Sequence, residues 1–220
     1  MLFDYLQKIP HLNLNKTLPD ECISELLSID DFYGLKLKEN YPNNMRTRYY
    51  NTSKGHALKS YSGKKENAYY TPNSNAIDTE NYIIDTPSYN FTSTWHKLNL
   101  TRKWINKNIC NEKNLCMVCL HMMTKNSYVD WHSHYKEEDE YNIGIVHISL
   151  KTNPRDLSEV KKDDCIISKH YAKSECWLFN SWLQHRSINK GEESRLHLVL
   201  ECKFEDEIFM KTIKDVLGYV

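Results

Sequence analysis

Glycine and proline are scarce in this chain of 220 residues, six of each, and nowhere do they gather with serine into a linker. Nothing therefore separates two independently cored domains, and the reading is one domain over residues 1–220. Net charge is missing too: 29 basic residues balance 29 acidic ones. The long-range field that draws proteins to nucleic acid or anionic lipid is absent. Nucleic acid is an unfavoured partner despite a local run of Lys and Arg over residues 36–65, and a small molecule or peptide is the expected one. No apolar run approaches the roughly 20 residues that cross a bilayer. The opening MLFDYLQKIPHLNL has no basic segment leading into an apolar one with a small-residue cleavage site, so the expectation is a cytoplasmic chain with no membrane segment. The seven cysteines are an odd number spread through apolar stretches, which suits a reducing compartment. Cys116 and Cys119 form a C-x-x-C, but no second pair and no Gly/Pro-rich knuckle accompany it, so buried thiols on a strand are the reading. No internal repeat is present, and oligomeric state is left open.

What is present divides along the chain. Residues 20–29, DECISELLSI, put Ile23, Leu26 and Leu27 on one helical face with Asp20 as the cap. Residues 39–93, rich in Asn, Tyr, Ser, Lys and Thr with turn signals at YPNN, SGKKEN, TPNSN and DTPSYN, read as loops and short strands. Trp95, Leu98, Ile105 and Ile109 are spaced for a second amphipathic helix. After residue 110 the pattern changes to short apolar segments between polar turns, at 115–123, 143–150, 164–168, 175–180 and 195–204. That is the signature of an antiparallel sandwich or barrel. The final stretch, EDEIFMKTIKDVLGYV, opens with acids and closes near Gly218, as a helix does. The expected class is mainly β with flanking helices: a helical and loop-rich front (1–110), a β core (111–204) and a C-terminal helix (205–220).

Two stretches carry chemistry. The first is Asp130-Trp131-His132-Ser133-His134, followed by acids at Glu137 to Glu140. Side chains alternate along a strand, so His132 and His134 project from one face and can grip one ion. The second is Trp177-Leu178-Phe179-Asn180-Ser181-Trp182-Leu183-Gln184-His185, with Arg195 ten residues beyond the histidine. A strand ending in an aromatic turn delivers a single imidazole, and the next strand opens with a permanently charged fork suited to a carboxylate. Alternation then sets Arg195, His197 and Val199 on one face and Leu196, Leu198 and Leu200 on the other.

Taken together, WHSHY, the strand IGIVHISLKTN and the block LFNSWLQHRSINKGEESRLHLVL resemble the Fe(II)/2-oxoglutarate-dependent dioxygenase superfamily over residues 117–203. Two branches are similar: the aspartyl/asparaginyl β-hydroxylase-like enzymes, and a largely uncharacterised group of phage and bacterial 2-oxoglutarate oxygenases. The resemblance implies a double-stranded β-helix core, a jelly roll of the cupin type. It implies Fe(II) and 2-oxoglutarate as cofactors and O2 as co-reactant. It implies hydroxylation of a C–H bond of an amino acid, a peptide or protein residue or a small metabolite, with release of succinate and CO2. Residue by residue, it makes His132, His134 and His185 metal ligands. It pairs Arg195 with the far carboxylate of 2-oxoglutarate beside His197 and His147, and it turns Trp131 and Trp182 toward substrate.

The sequence departs from the family at His134, where Asp or Glu is usual, and at Ile145, where a basic residue often stands. Glu138 or Asp130 is an alternative third ligand. A cupin-type site of three His and one Glu uses the same residues, His132, His134, Glu138 and His185 with Asn189, without 2-oxoglutarate. A barrel that only binds or assembles is the third possibility.

Overall fold

The computed structural model describes Leu6 and residues 8–34, 53–60, 63–65, 90–133 and 143–219. The described strands are β1 (His11–Thr17), β2 (Tyr33–Gly34), β3 (Ser53–Ser60), β4 (Asn90–Phe91), β5 (Leu115–Met123), β6 (Ser127–His132), β7 (Ile143–Lys151), β8 (Asp156–Lys162), β9 (Cys165–Lys169), β10 (Glu175–Phe179), β11 (His185–Asn189) and β12 (Arg195–Lys203). The helices are α1 (Asp20–Leu27), α2 (Ser93–Lys97), α3 (Asn99–Asn108) and α4 (Glu207–Leu217).

From β5 onward the chain winds between two antiparallel sheets, one in the order β10-β7-β12-β5 and the other in the order β6-β11-β8-β9. Successive strands lie in opposite sheets except for the β8–β9 hairpin, whose turn places Asp163 at φ +52°. Eight strands wound in this way are the double-stranded β-helix. The five apolar segments after residue 110 are all strands of it, with ends shifted by a residue at most.

The larger sheet continues past both edges of the jelly roll. β1 pairs with β10, and β3 pairs with β5 and carries β2 and β4. These two flanking strands come from the front half, whose described residues also hold α1, α2 and α3. β3 has a polar sequence, SKGHALKS, that hides its burial. Its Lys59 ammonium donates to the Leu115 carbonyl and sits 4.4 Å from the centre of the Phe91 ring. His56 reaches the Asp31 carbonyl at 2.8 Å and Thr94 Oγ1 at 3.0 Å. Of the basic stretch at 36–65, residues 36–52, Arg46 and Arg48 among them, and residues 61 and 62 lie outside the described residues.

Strand alternation decides where the core sits. The outward face of the larger sheet carries Leu196, Leu198 and Leu200 of β12, Val146, Ile148 and Leu150 of β7, and Val118 and Leu120 of β5. Ile23 and Leu26 of α1, Ile105 of α3, and Phe209 and Ile213 of α4 cover it. The main apolar core thus lies between sheet and helices, and the barrel interior mixes polar groups with fewer apolar ones. A much smaller apolar cluster, Ala57, Cys119, Ile145 and Val199, faces inward.

Three helix boundaries differ from expectation or explain themselves. Pro19, not Asp20, is the N-cap of α1; Asp20 and Glu21 occupy its first turn, where their charge favours the dipole. The single helix expected over 95–109 is broken at Leu98, whose ψ of 66° is not helical. α4 begins at Asp206, which accepts from the amides of Ile208 (3.1 Å) and Phe209 (3.0 Å), and ends at Gly218 in the left-handed region.

The other Asp206 oxygen accepts from Asn111 N (3.1 Å), Asn111 Nδ2 (2.8 Å) and Asn114 Nδ2 (2.7 Å), joining α4 to the segment ahead of β5. Burial alone would raise this carboxyl, but the donors from Asn114, Phe209 and Asn111 outweigh it and hold it below the usual carboxylate value. Its stabilisation is therefore complete above the unfolded value of about 4 and lost as pH falls through the folded one. Asp206→Ala removes a cap worth about 0.5–2 kcal/mol and strands buried donors, so about 2–4 kcal/mol of stability is lost. Chemical denaturation checks this, and a loss below about 0.5 kcal/mol contradicts it.

Candidate metal centre

His132 is the last residue of β6 and His185 the first of β11, and the two are cross-strand partners. Between this pair and the next, Val129 with Ser187, three steps on β6 match two on β11. The extra residue is a bulge, a device that re-aims a side chain at a strand end. The two imidazoles lie with ring centres 4.1 Å apart, tilted by 58°. His132 Nδ1 lies 2.7 Å from the Asp130 carbonyl and His185 Nδ1 lies 2.8 Å from the Leu183 carbonyl. A carbonyl only accepts, so each Nδ1 carries the proton and each Nε2 presents its lone pair. This is the arrangement that fixes tautomer and orientation in metal-binding histidines. Burial lowers the pKa of His132, partly opposed by the Asp130 carbonyl, which favours the neutral ring that a metal requires.

The turn that delivers His185 is built by Asn180. Its Oδ1 accepts from Trp182 N (3.1 Å), its own amide donates to the Pro10 carbonyl (3.1 Å), and its Nδ2 reaches the Leu6 and Ile9 carbonyls. The segment ahead of β1 thus clamps the loop beside the centre. Phe179 meets His185 edge-on, ring centres 4.8 Å apart.

Both histidines open into a cavity of about 190 Å³. That exceeds the roughly 150 Å³ engineered void that takes up benzene. Met117, Cys119, Val129, Ile145, Phe179 and Val199 make its apolar wall, and Ser53, His121, His147, Ser187 and Glu201 its other polar groups. Burial, with the Arg195 charge next, lowers His121 to about 3, and burial with His197 and Arg195 lowers His147 well below its usual value. Both rings are neutral at pH 7.

Beyond His121 and His147 lies a closed polar cluster. Arg195 is wholly buried, with Nε 3.1 Å from Asp156 Oδ1. Its Nη1 donates to Met123 Sδ (2.9 Å), its Nη2 lies 2.9 Å from His197 Nδ1, and Nε is 3.2 Å from His197 Nε2. Thr152 Oγ1 donates to Asp156 Oδ2 at 2.8 Å. His197 is lowered to about 4 by burial and then by Arg195, with Asp156 opposing.

The sequence-predicted residues divide as follows. His132 and His185 come together, and His147 lines their cavity. Arg195 and His197 share the inward face but sit one layer deeper, outside the cavity wall. Trp131 and Trp182 are not brought to the cavity. The bulge turns Trp131 outward between Lys161 Nζ (4.4 Å) and Arg186 Cζ (4.6 Å), and Trp182 packs toward Phe204, ring centres 6.2 Å apart. His134 and Glu138 lie outside the described residues. Asn189, the cupin-type candidate, spends its Nδ2 on the carbonyls of Met123, Thr124 and Glu193, which is a turn-holding role. Cys116 and Cys119 are both buried, and three residues apart on one strand they face opposite sides, so they share no ion.

Sequence reasoning missed His121, Glu201 and Asp156. His121 was accessible by alternation, two residues beyond Cys119 on the inward face, and Glu201 by the same step from Val199. Among the described residues no group of three or more His, Cys, Asp or Glu is arranged around one ion. His132 and His185 thus offer two nitrogens and leave the remaining positions to other donors.

No protein-family model and no curated protein matches the sequence. Solved structures do. The chain is similar to an oxidoreductase of the 2OG-Fe(II) oxygenase family from Burkholderia pseudomallei, at 10% identity over 93% of this chain and 90% of that one, with a TM-score of 0.55. It is similar to the prolyl hydroxylase of Trichoplax adhaerens, solved with a hypoxia inducible factor oxygen degradation domain peptide fragment, at 12% identity over 93% and 88%, also at 0.55. At such identities the likeness establishes the fold, the double-stranded β-helix, over nearly the whole of each chain. It does not single out the aspartyl/asparaginyl branch. No described helix is long and apolar enough to cross a membrane.

Proposed function

We propose that the protein is an Fe(II)- and 2-oxoglutarate-dependent oxygenase that hydroxylates a C–H bond of a small molecule or peptide. The observation that carries this reading is the His132–His185 pair: neutral-tautomer imidazoles on facing strands, each tied through Nδ1 to a backbone carbonyl, opening into a largely apolar cavity. His134 is proposed as the third ligand, and water completes the sphere if it is not. When bound, Fe(II) and 2-oxoglutarate supply the oxidation, with O2 consumed and succinate and CO2 released.

The chain's residues do the rest. His132 and His185 orient the ion and leave positions open. The apolar wall of Met117, Ile145, Phe179 and Val199 excludes water from the reacting bond. Arg195 suits a far carboxylate because, among the described residues, its fully buried terminal nitrogens hydrogen-bond a thioether and an imidazole, both weak partners for a guanidinium. The chain's likeness in fold to a 2OG-Fe(II) oxygenase-family oxidoreductase and to a prolyl hydroxylase solved with a peptide supports the same class.

The test of the ligand set is an anaerobic Fe(II) titration of metal-stripped protein. One ion per chain is the expected stoichiometry, and His134→Ala is expected to weaken it at least about tenfold, the low end of what even an outer-shell change costs. Full iron affinity in His134→Ala removes that residue from the set, and no iron uptake by the wild type rejects the oxygenase.

A further inference from the structure

The cluster beneath the cavity has a charge count that constrains its ligand. Arg195 and Asp156 are 0% and 2% exposed and sum to zero. The titratable groups facing them come from every neighbouring element: His197 on β12 itself, His121 on β5, His147 on β7, and His170 and Tyr171 after β9. Burial holds His121, His147 and His197 neutral, and the Tyr171 hydroxyl is already 2.7 Å from His11 Nδ1. A ligand carboxylate arriving at Arg195 would leave one negative charge uncompensated in a buried cluster, a condition buried sites do not tolerate.

Resting on the oxygenase reading above, we infer that this cluster takes a ligand carboxylate only together with a proton, and that His197 receives it. The geometry supplies both halves. Arg195 Nε lies 3.2 Å from His197 Nε2 and Nη2 lies 2.9 Å from Nδ1, while Nε2 is also 3.5 Å from Asp156 Oδ2; a neutral ring accepts from the guanidinium at one nitrogen only, and with its proton turned to Asp156 that nitrogen is Nδ1. A proton from solvent that adds to Nδ1 turns this acceptor into a donor. Nη2 then loses its partner and turns to the incoming carboxylate, while the imidazolium stands beside Asp156 as the second cation. His147, whose Nδ1 is 3.4 Å from His197 Nδ1 and which lines the cavity, is the ring past which the ligand reaches this group. Asp156 thereby acts as a positioning residue. It holds the guanidinium through Nε and makes binding proton-linked, so that 2-oxoglutarate binds more tightly as pH falls.

The experiment is calorimetric titration of the anaerobic Fe(II)-loaded protein with 2-oxoglutarate, in two buffers of different ionisation enthalpy. The wild type is expected to take up about one proton per ligand near pH 7, with Kd rising about tenfold per pH unit from 6 to 8. In Asp156→Asn the charge count closes without a proton, so uptake falls to about zero and the pH slope disappears. In His197→Gln, which cannot become cationic, uptake is also lost and affinity at pH 6 drops about tenfold or more. Ligand heat with no proton uptake in the wild type overturns the inference alone, without needing either variant to fold. Uptake that persists in His197→Gln overturns the assignment to that ring. Absence of ligand heat at every pH, in protein that holds iron, overturns the oxygenase reading and this inference with it.

Discussion

His185→Ala loses Fe(II) binding by at least about 100-fold, beyond the 10–100-fold that changes behind a ligand produce. The reason is count and placement. In the proposed site two nitrogens from the described residues would hold the ion, and His185 supplies one of them, aimed by its Nδ1 contact with the Leu183 carbonyl and walled by Phe179. Alanine there removes a ligand, and no neighbouring His, Cys, Asp or Glu among the described residues is arranged to replace it. Iron retained per chain after anaerobic dialysis measures the effect, with thermal unfolding as the check that the jelly roll persists. A variant that folds and still holds one tightly bound ion contradicts the assignment.

Asp156→Ala has the largest expected effect on stability. It leaves the wholly buried Arg195 guanidinium facing a thioether and an imidazole, and unpairing a buried charge costs about 3–5 kcal/mol. In a chain of this size that corresponds to about 6–20 °C in Tm. The paired change Asp156→Leu with Arg195→Met removes both charges and is expected to recover most of the loss, since well-packed apolar replacements of buried ion pairs are often neutral. If the double variant is as unstable as the single one, packing and not charge explains the cost. The carboxyl also sets an acid limit. Burial pushes it up, but Arg195, His197 and Thr152 outweigh that and hold it below its usual value. Its contribution is complete above about pH 4 and fades as pH falls through the folded value.

The parts of the molecule legible in the sequence are those written in local pattern. Alternation in RLHLVLECK separates an apolar outer face from a polar inner one, and the same rule assigns the five apolar strands. The aromatic turn before His185 marked a histidine worth watching, and HSH marked its partner. What escaped is non-local. Asp156 pairs with Arg195 across the two sheets, 39 residues away, and nothing in NPRDLSEV distinguishes it from a surface turn acid. β1 and β3 are sheet members because partner strands bury them, although their own sequences are polar. The place of Trp131, away from the cavity, was hidden for a different reason. Its apolar size suggested a pocket, while the β6 bulge turned it to a surface where two cations cover its ring.

The most direct measurement is an anaerobic titration of the metal-stripped protein with Fe(II) and 2-oxoglutarate, followed by visible absorption. The expected result is a weak charge-transfer band that needs both components, is absent in His185→Ala, and in Arg195→Ala requires much higher 2-oxoglutarate while iron stays bound. Stoichiometric iron binding with no spectral or calorimetric response to 2-oxoglutarate contradicts the oxygenase assignment.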